Sequence, residues 1–142
     1  MAEVICESRR EYVAFAPMVH TPEEVRGWVT EVLIPGGGVT VATRGGTVVA
    51  VLAVSQSTAE GWIDQLYVKP GYTGQGLGAK LLQHAHTALR PPVRLYTFQA
   101  NAGARRFYER HGYAPELFTD GSANEEGVPD VLYVWGGRET AA

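Results

Sequence analysis

Val68-Lys69-Pro70-Gly71-Tyr72-Thr73-Gly74-Gln75-Gly76-Leu77-Gly78-Ala79-Lys80 carries a strand into a run of glycines, and the glycines open a helix. The run Trp62 to Val68 is rich in β-branched and aromatic residues, the composition of a strand, and Pro70-Gly71 stops it. From Leu77 to Arg90 the apolar residues Leu77, Leu81, Ala85 and Leu89 recur on one helical face, and Pro91-Pro92 ends the run. Glycines let a backbone approach a ligand closely. A helix start offers unpaired N–H groups and the positive end of a dipole, which together attract an anion such as a pyrophosphate. The spacing alone also fits an ordinary turn between a strand and a helix.

Two common phosphate motifs fail here. Gly74-x-Gly76-x-x-Ala79 fits the loose dinucleotide pattern, but that reading needs an acid ending the next strand, and Arg94-Leu95-Tyr96-Thr97-Phe98-Gln99 ends without one. A nucleotide P-loop needs Gly-Lys-Ser/Thr, whereas Lys80 follows Ala79 and precedes Leu81.

Upstream, Thr21-Pro22-Glu23-Glu24 is a capping box with Pro at the first helical position. Val25, Trp28, Val29, Val32 and Leu33 then recur at helical spacing until Pro35 and Gly36 to Gly38. Strands are predicted at Val39–Arg44 and Thr47–Val54 around the Gly45-Gly46 hairpin signal, with a turn over Ser55 to Ala59. In the first twenty residues no element is assigned; Val13, Phe15 and Val19 suit a short strand or a loop, and Pro17 interrupts any helix.

Downstream, Val93 to Phe98 reads as a strand and Asn101 to His111 as a helix, with Asn101 a good N-cap and Gly112 a good C-cap. Strands at Tyr113–Thr119 and Val131–Trp135 flank a polar loop, Asp120 to Asp130.

Asn101-Ala102-Gly103-Ala104-Arg105-Arg106-Phe107-Tyr108-Glu109-Arg110-His111-Gly112-Tyr113 resembles motif B of the GNAT N-acetyltransferase superfamily. The glycine loop resembles motif A of the same superfamily, with Gly76 and Gly78 in its two glycine places. The first motif position, usually Arg or Gln, is Thr73, which brings a hydroxyl but no charge. The resemblance is good over residues 60 to 136, and the tail looks like one bacterial branch of small domains. It implies an α/β (α+β) fold in a single domain over residues 1–142: a mixed, mostly antiparallel sheet of about six to seven strands flanked by three to four helices.

The resemblance also implies acetyl-CoA as co-substrate and direct transfer of acetyl to a primary amine of a small molecule or peptide. The amides of Gly74, Gln75, Gly76, Leu77, Gly78 and Ala79 would hold the pyrophosphate, with the Thr73 hydroxyl offered to a phosphate. The backbone of Leu66, Tyr67 and Val68 would take the pantetheine arm as an added strand, with Asn101 bonded to it. Tyr108 would protonate the departing thiolate. Asp64 is the candidate base or substrate carboxylate, with Glu23, Glu24, Glu125 and Glu126 as alternatives. Strict alternation puts Asp64 on the face of Trp62, Leu66 and Val68. Of Arg105, Arg106 and Arg110, one could reach a CoA phosphate.

Composition narrows the rest. A net charge of -3 argues against a general nucleic-acid binder. No apolar run is long enough to span a bilayer. The single cysteine, Cys6, cannot make an internal disulfide, and a reducing, cytoplasmic setting is the default expectation. No metal cluster is expected; His84 and His86, two apart, do not share a helix face. Family habit allows a homodimer. The rival readings are another acyl-CoA or an oxygen acceptor, a CoA-binding module without catalysis, and a dinucleotide binder.

Overall fold

A computed structural model describes residues 1–10 and 20–136. The expectations for Val13, Phe15, Pro17 and Val19 lie outside the described residues. The chain starts with α1 (Ala2–Arg10), an element left unassigned from sequence. Glu3 in its first turn and Arg9 and Arg10 in its last complement the helix dipole. Val4, Ile5, Cys6 and Ser8 are its buried residues.

Next comes α2 (Pro22–Trp28), begun by the expected capping box: the Thr21 hydroxyl accepts the Glu24 N–H, and the Glu24 carboxylate accepts the Thr21 N–H. The helix continues through a π turn at Val29–Leu33 and a last turn at Ile34–Gly36, which contains Pro35. Leu33 stays buried with Val29, as regular helical spacing has it, while Val32 is turned out at the π turn, 57% exposed, although it falls on the apolar stripe of a regular helix.

Strands β1 (Val39–Arg44) and β2 (Thr47–Gln56) form the expected hairpin, with Gly45 and Gly46 at φ 57° and 80°. β3 (Gly61–Val68) leads through the glycine loop to α3 (Leu77–Ala88). β4 (Val93–Phe98), α4 (Ala102–Arg110), β5 (Ala114–Phe118) and β6 (Asp130–Trp135) complete the order. The six-stranded sheet runs β1-β2-β3-β4-β6-β5 and is mixed: every neighbouring pair is antiparallel except β3 with β4.

Helices cover both faces of the sheet. On one, Leu81, Leu82 and Ala85 of α3 and Tyr108 of α4 pack on Ala50, Leu52, Ile63, Leu95 and Tyr133. On the other, Ile5 and Cys6 of α1 and Val25, Val29 and Leu33 pack on Ala53, with Val39 and Tyr67 at the margin. Among the described residues no helix is long and apolar enough to cross a membrane.

Candidate functional site

The parallel pair β3–β4 is short. Gly61 pairs with Val93 and Trp62 with Arg94, and beyond these the ladder stops. The strands part, and a cavity of about 840 Å³ opens between them, lined by Leu66, Tyr67 and Val68 on one side and Tyr96, Thr97 and Phe98 on the other. It lies at the carboxyl end of both strands, where the glycine loop, the start of α4 and the β5–β6 loop converge. Its size is that of a small-molecule site.

The glycine loop forms one wall. Gly76 is the N-cap of α3 with φ 78°, a left-handed conformation that favours glycine. The first intrahelical bond is Lys80 N–H to the Gly76 carbonyl, so the amides of Leu77, Gly78 and Ala79 precede it and have no helical partner. At Gly78 a Cβ would lie 3.4 Å from the Phe107 ring, so this glycine brings α3 close to α4. Thr73, Gly74, Gly76, Leu77, Gly78 and Ala79 all line the cavity, whereas the exposed Gln75 does not.

From α4 come Asn101, Tyr108 and Arg110. Asn101 is the N-cap, its Oδ1 accepting the Ala104 N–H at 3.1 Å. Tyr108 is only 8% exposed, with its ring edge-on to Phe107 and Tyr113 at centroid distances of 5.1 and 5.6 Å.

Asp64 also lines the cavity, but not by strict alternation. Ala53 pairs with Gln65 and Val54 with Ile63, so Asp64 is the extra residue of a β-bulge. The bulge resets the alternation. Ile63, Leu66 and Val68 all pack toward α3 and α4, which puts Trp62 on the face opposite Leu66, and the expected shared face is corrected. Although Asp64 is exposed to the cavity, the walls exclude enough water to push its carboxyl above the usual aspartate range, against a hydrogen bond to Ser55 that lowers it.

The other acids divide. Glu24 is spent on the helix cap, and Glu23 pairs with Arg26 at 3.5 Å. Glu125 meets His20 at 2.7 Å, which joins the start of α2 to the β5–β6 loop, while Glu126 lines the cavity. Asp130 is buried and bonded to the Thr119 hydroxyl and to Asn124 Nδ2, and so holds the loop in shape. Among the described residues no group of His, Cys, Asp and Glu could hold a metal ion.

Sequence reasoning missed the contribution of α1. Arg9 lines the cavity, its Nε donating to the Tyr67 hydroxyl at 3.3 Å, and Ser8 donates to the Val68 carbonyl at 3.2 Å. The helical spacing of Val4, Ile5 and Ser8 was the available signal.

The acetyltransferase (GNAT) family model matches residues 3–113. No curated protein matches in sequence. Among solved structures, the PaiA N-acetyltransferase of Thermoplasma acidophilum in complex with coenzyme A is 22% identical, with a TM-score of 0.68 over 94% of this chain and 89% of that one. Apo YjaB of Escherichia coli is 20% identical with a TM-score of 0.71, over 96% and 89%. Arabidopsis thaliana Naa50, in complex with a bisubstrate analogue, is 18% identical with a TM-score of 0.64, over 92% and 90%. At these identities the likeness is one of fold.

Proposed function

Because this chain belongs to the acetyltransferase (GNAT) family, whose enzymes use acetyl-CoA as co-substrate, we propose that it transfers acetyl directly to a primary amine of a small molecule or peptide. The observation that carries this reading is the cleft itself. It brings an interrupted strand edge, a glycine-opened helix start and the Tyr108 side chain to one cavity.

The residues present suit the co-substrate. A Cβ at Gly74 or Gly76 would meet nothing within 4 Å, so space for a phosphate lies against these backbones. The amides from Gly74 to Ala79 hold the pyrophosphate, with the Thr73 hydroxyl beside them. The β3 edge at Leu66, Tyr67 and Val68 carries the pantetheine arm by strand addition, and Asn101 Nδ2 bonds to it. Bound acetyl-CoA supplies an acyl group activated as a thioester. A β3 backbone N–H polarises the acyl carbonyl. Tyr108 delivers its phenolic proton to the departing sulfur. Asp64 takes the proton of the attacking amine, a role favoured by its raised pKa. The β5–β6 loop, with Glu126 at the wall, borders the acceptor. The lone, buried Cys6 suits a reducing, cytoplasmic setting.

Thermal unfolding with acetyl-CoA, CoA and NAD is the first test. A ligand at about 100 times its Kd adds roughly 2.7 kcal/mol, or roughly 5 to 15 °C here. A rise with acetyl-CoA and CoA but not NAD is expected; a rise with NAD alone sinks the reading. Tyr108→Phe then separates catalysis from mere binding. It should lower kcat by about 100-fold and leave the Kd for CoA unchanged.

A further inference from the structure

We propose that Arg110 binds the 3′-phosphate of CoA and supplies the positive charge that Thr73 leaves out of the glycine loop; this rests on the acetyltransferase reading. The segment from Thr73 to Ala79 contains no cation. Lys69 points its charge at Glu7, 3.8 Å away, and Lys80 is exposed outside the cavity. The cavity therefore draws its positive charge from elsewhere.

Arg9, His20, Arg110 and His111 are the basic side chains on its wall. Three already have partners. Arg9 is bonded to Tyr67 and interacts with Glu125 and Glu126. His20 meets Glu125, and His111 Nδ1 donates to the Phe107 carbonyl at 2.8 Å. Among the described residues Arg110 alone of the four forms no hydrogen bond or ion pair.

Its position follows from the helix period. Phe107 is the α4 residue whose ring stands against Gly78, and Arg110 lies three residues later on the same face. Arg110 thus continues the face of α4 that packs on the start of α3. Arg105 is turned to the sheet, where it donates to the Tyr133 hydroxyl, and Arg106 does not line the cavity.

The chemistry assigns the phosphate. Each phosphoryl of the pyrophosphate carries one charge, which neutral amides at a helix start accommodate. A 3′-phosphomonoester carries nearly two at neutral pH. A guanidinium offers it paired, charge-assisted hydrogen bonds.

Titration calorimetry of the full chain with CoA and with 3′-dephospho-CoA tests the assignment. The wild type should bind CoA about ten-fold more tightly than 3′-dephospho-CoA. In Arg110→Ala that preference should vanish through weaker CoA binding alone, and Arg110→Lys should restore part of it. The side chain is exposed, so folding should be unaffected, which a melting curve checks. A wild type with no preference, or an Arg110→Ala protein that keeps it, overturns the assignment. So does equal weakening of both ligands, which would put Arg110 on the pyrophosphate. If the wild type binds neither ligand, the acetyltransferase reading falls, and this assignment with it.

Discussion

Asp64 reaches the cavity because β3 has one residue more than its partner opposite Ala53 and Val54. A carboxylate that abstracts a proton must be ionised, so its contribution is present above its pKa and lost as pH falls through it. Burial raises that pKa, and the loss therefore begins at a higher pH than for an ordinary aspartate. Asp64→Asn should lower kcat by about 100-fold at neutral pH. The wild-type to variant rate ratio should shrink as pH is lowered; a ratio constant with pH would remove Asp64 from the proton path. Tyr108 and Asn101 were legible in sequence because their motif is local, within one capped helix. The bulge was not, because alternation counts residues and cannot see that two oppose one across a pair of strands. Arg9 escaped notice for another reason: it lies in α1 among charges, and only its contact with Tyr67 shows what it faces.

Among the elements, α2 shows most clearly what sequence does and does not specify. Its start is written in four residues, Thr21 to Glu24, whose side chains and amides bond one another, and the structure has it as read. Its middle depends on which residues can be buried against α1 and the sheet. Through the π turn Val32 is left 57% exposed although the apolar stripe includes it, and no local pattern demands that. Thr21→Ala removes one side of the capping box and should cost about 1 kcal/mol, seen as a lower Tm. His20 precedes the cap and meets Glu125, so the same variant should also loosen the contact between α2 and the β5–β6 loop. An unchanged Tm would mean that burial of Val25 and Val29 holds the first turn by itself.

The molecule as a whole is a sheet whose ladder is interrupted between its third and fourth positions. The succession of strands and helices was largely legible from the hairpin glycines and the alternation of periods, whereas the insertion of β6 between β4 and β5 was not. The length of the β3–β4 pairing was not, because no residue pattern in either strand announces where two parallel neighbours separate. That short pairing has a consequence for exchange with solvent. Amide hydrogens that β3 points at the gap, at Leu66 and Val68, and those on the facing side of β4 have no strand partner to shield them. They should take up deuterium quickly in the free protein, while Leu52 and Val131, inside intact antiparallel pairs, are slow. A guest that adds a strand there should slow the β3 amides sharply and leave β1 unchanged. The gap in the ladder thus makes part of the sheet's backbone order conditional on occupancy, and isotope labelling with and without CoA would read that dependence amide by amide.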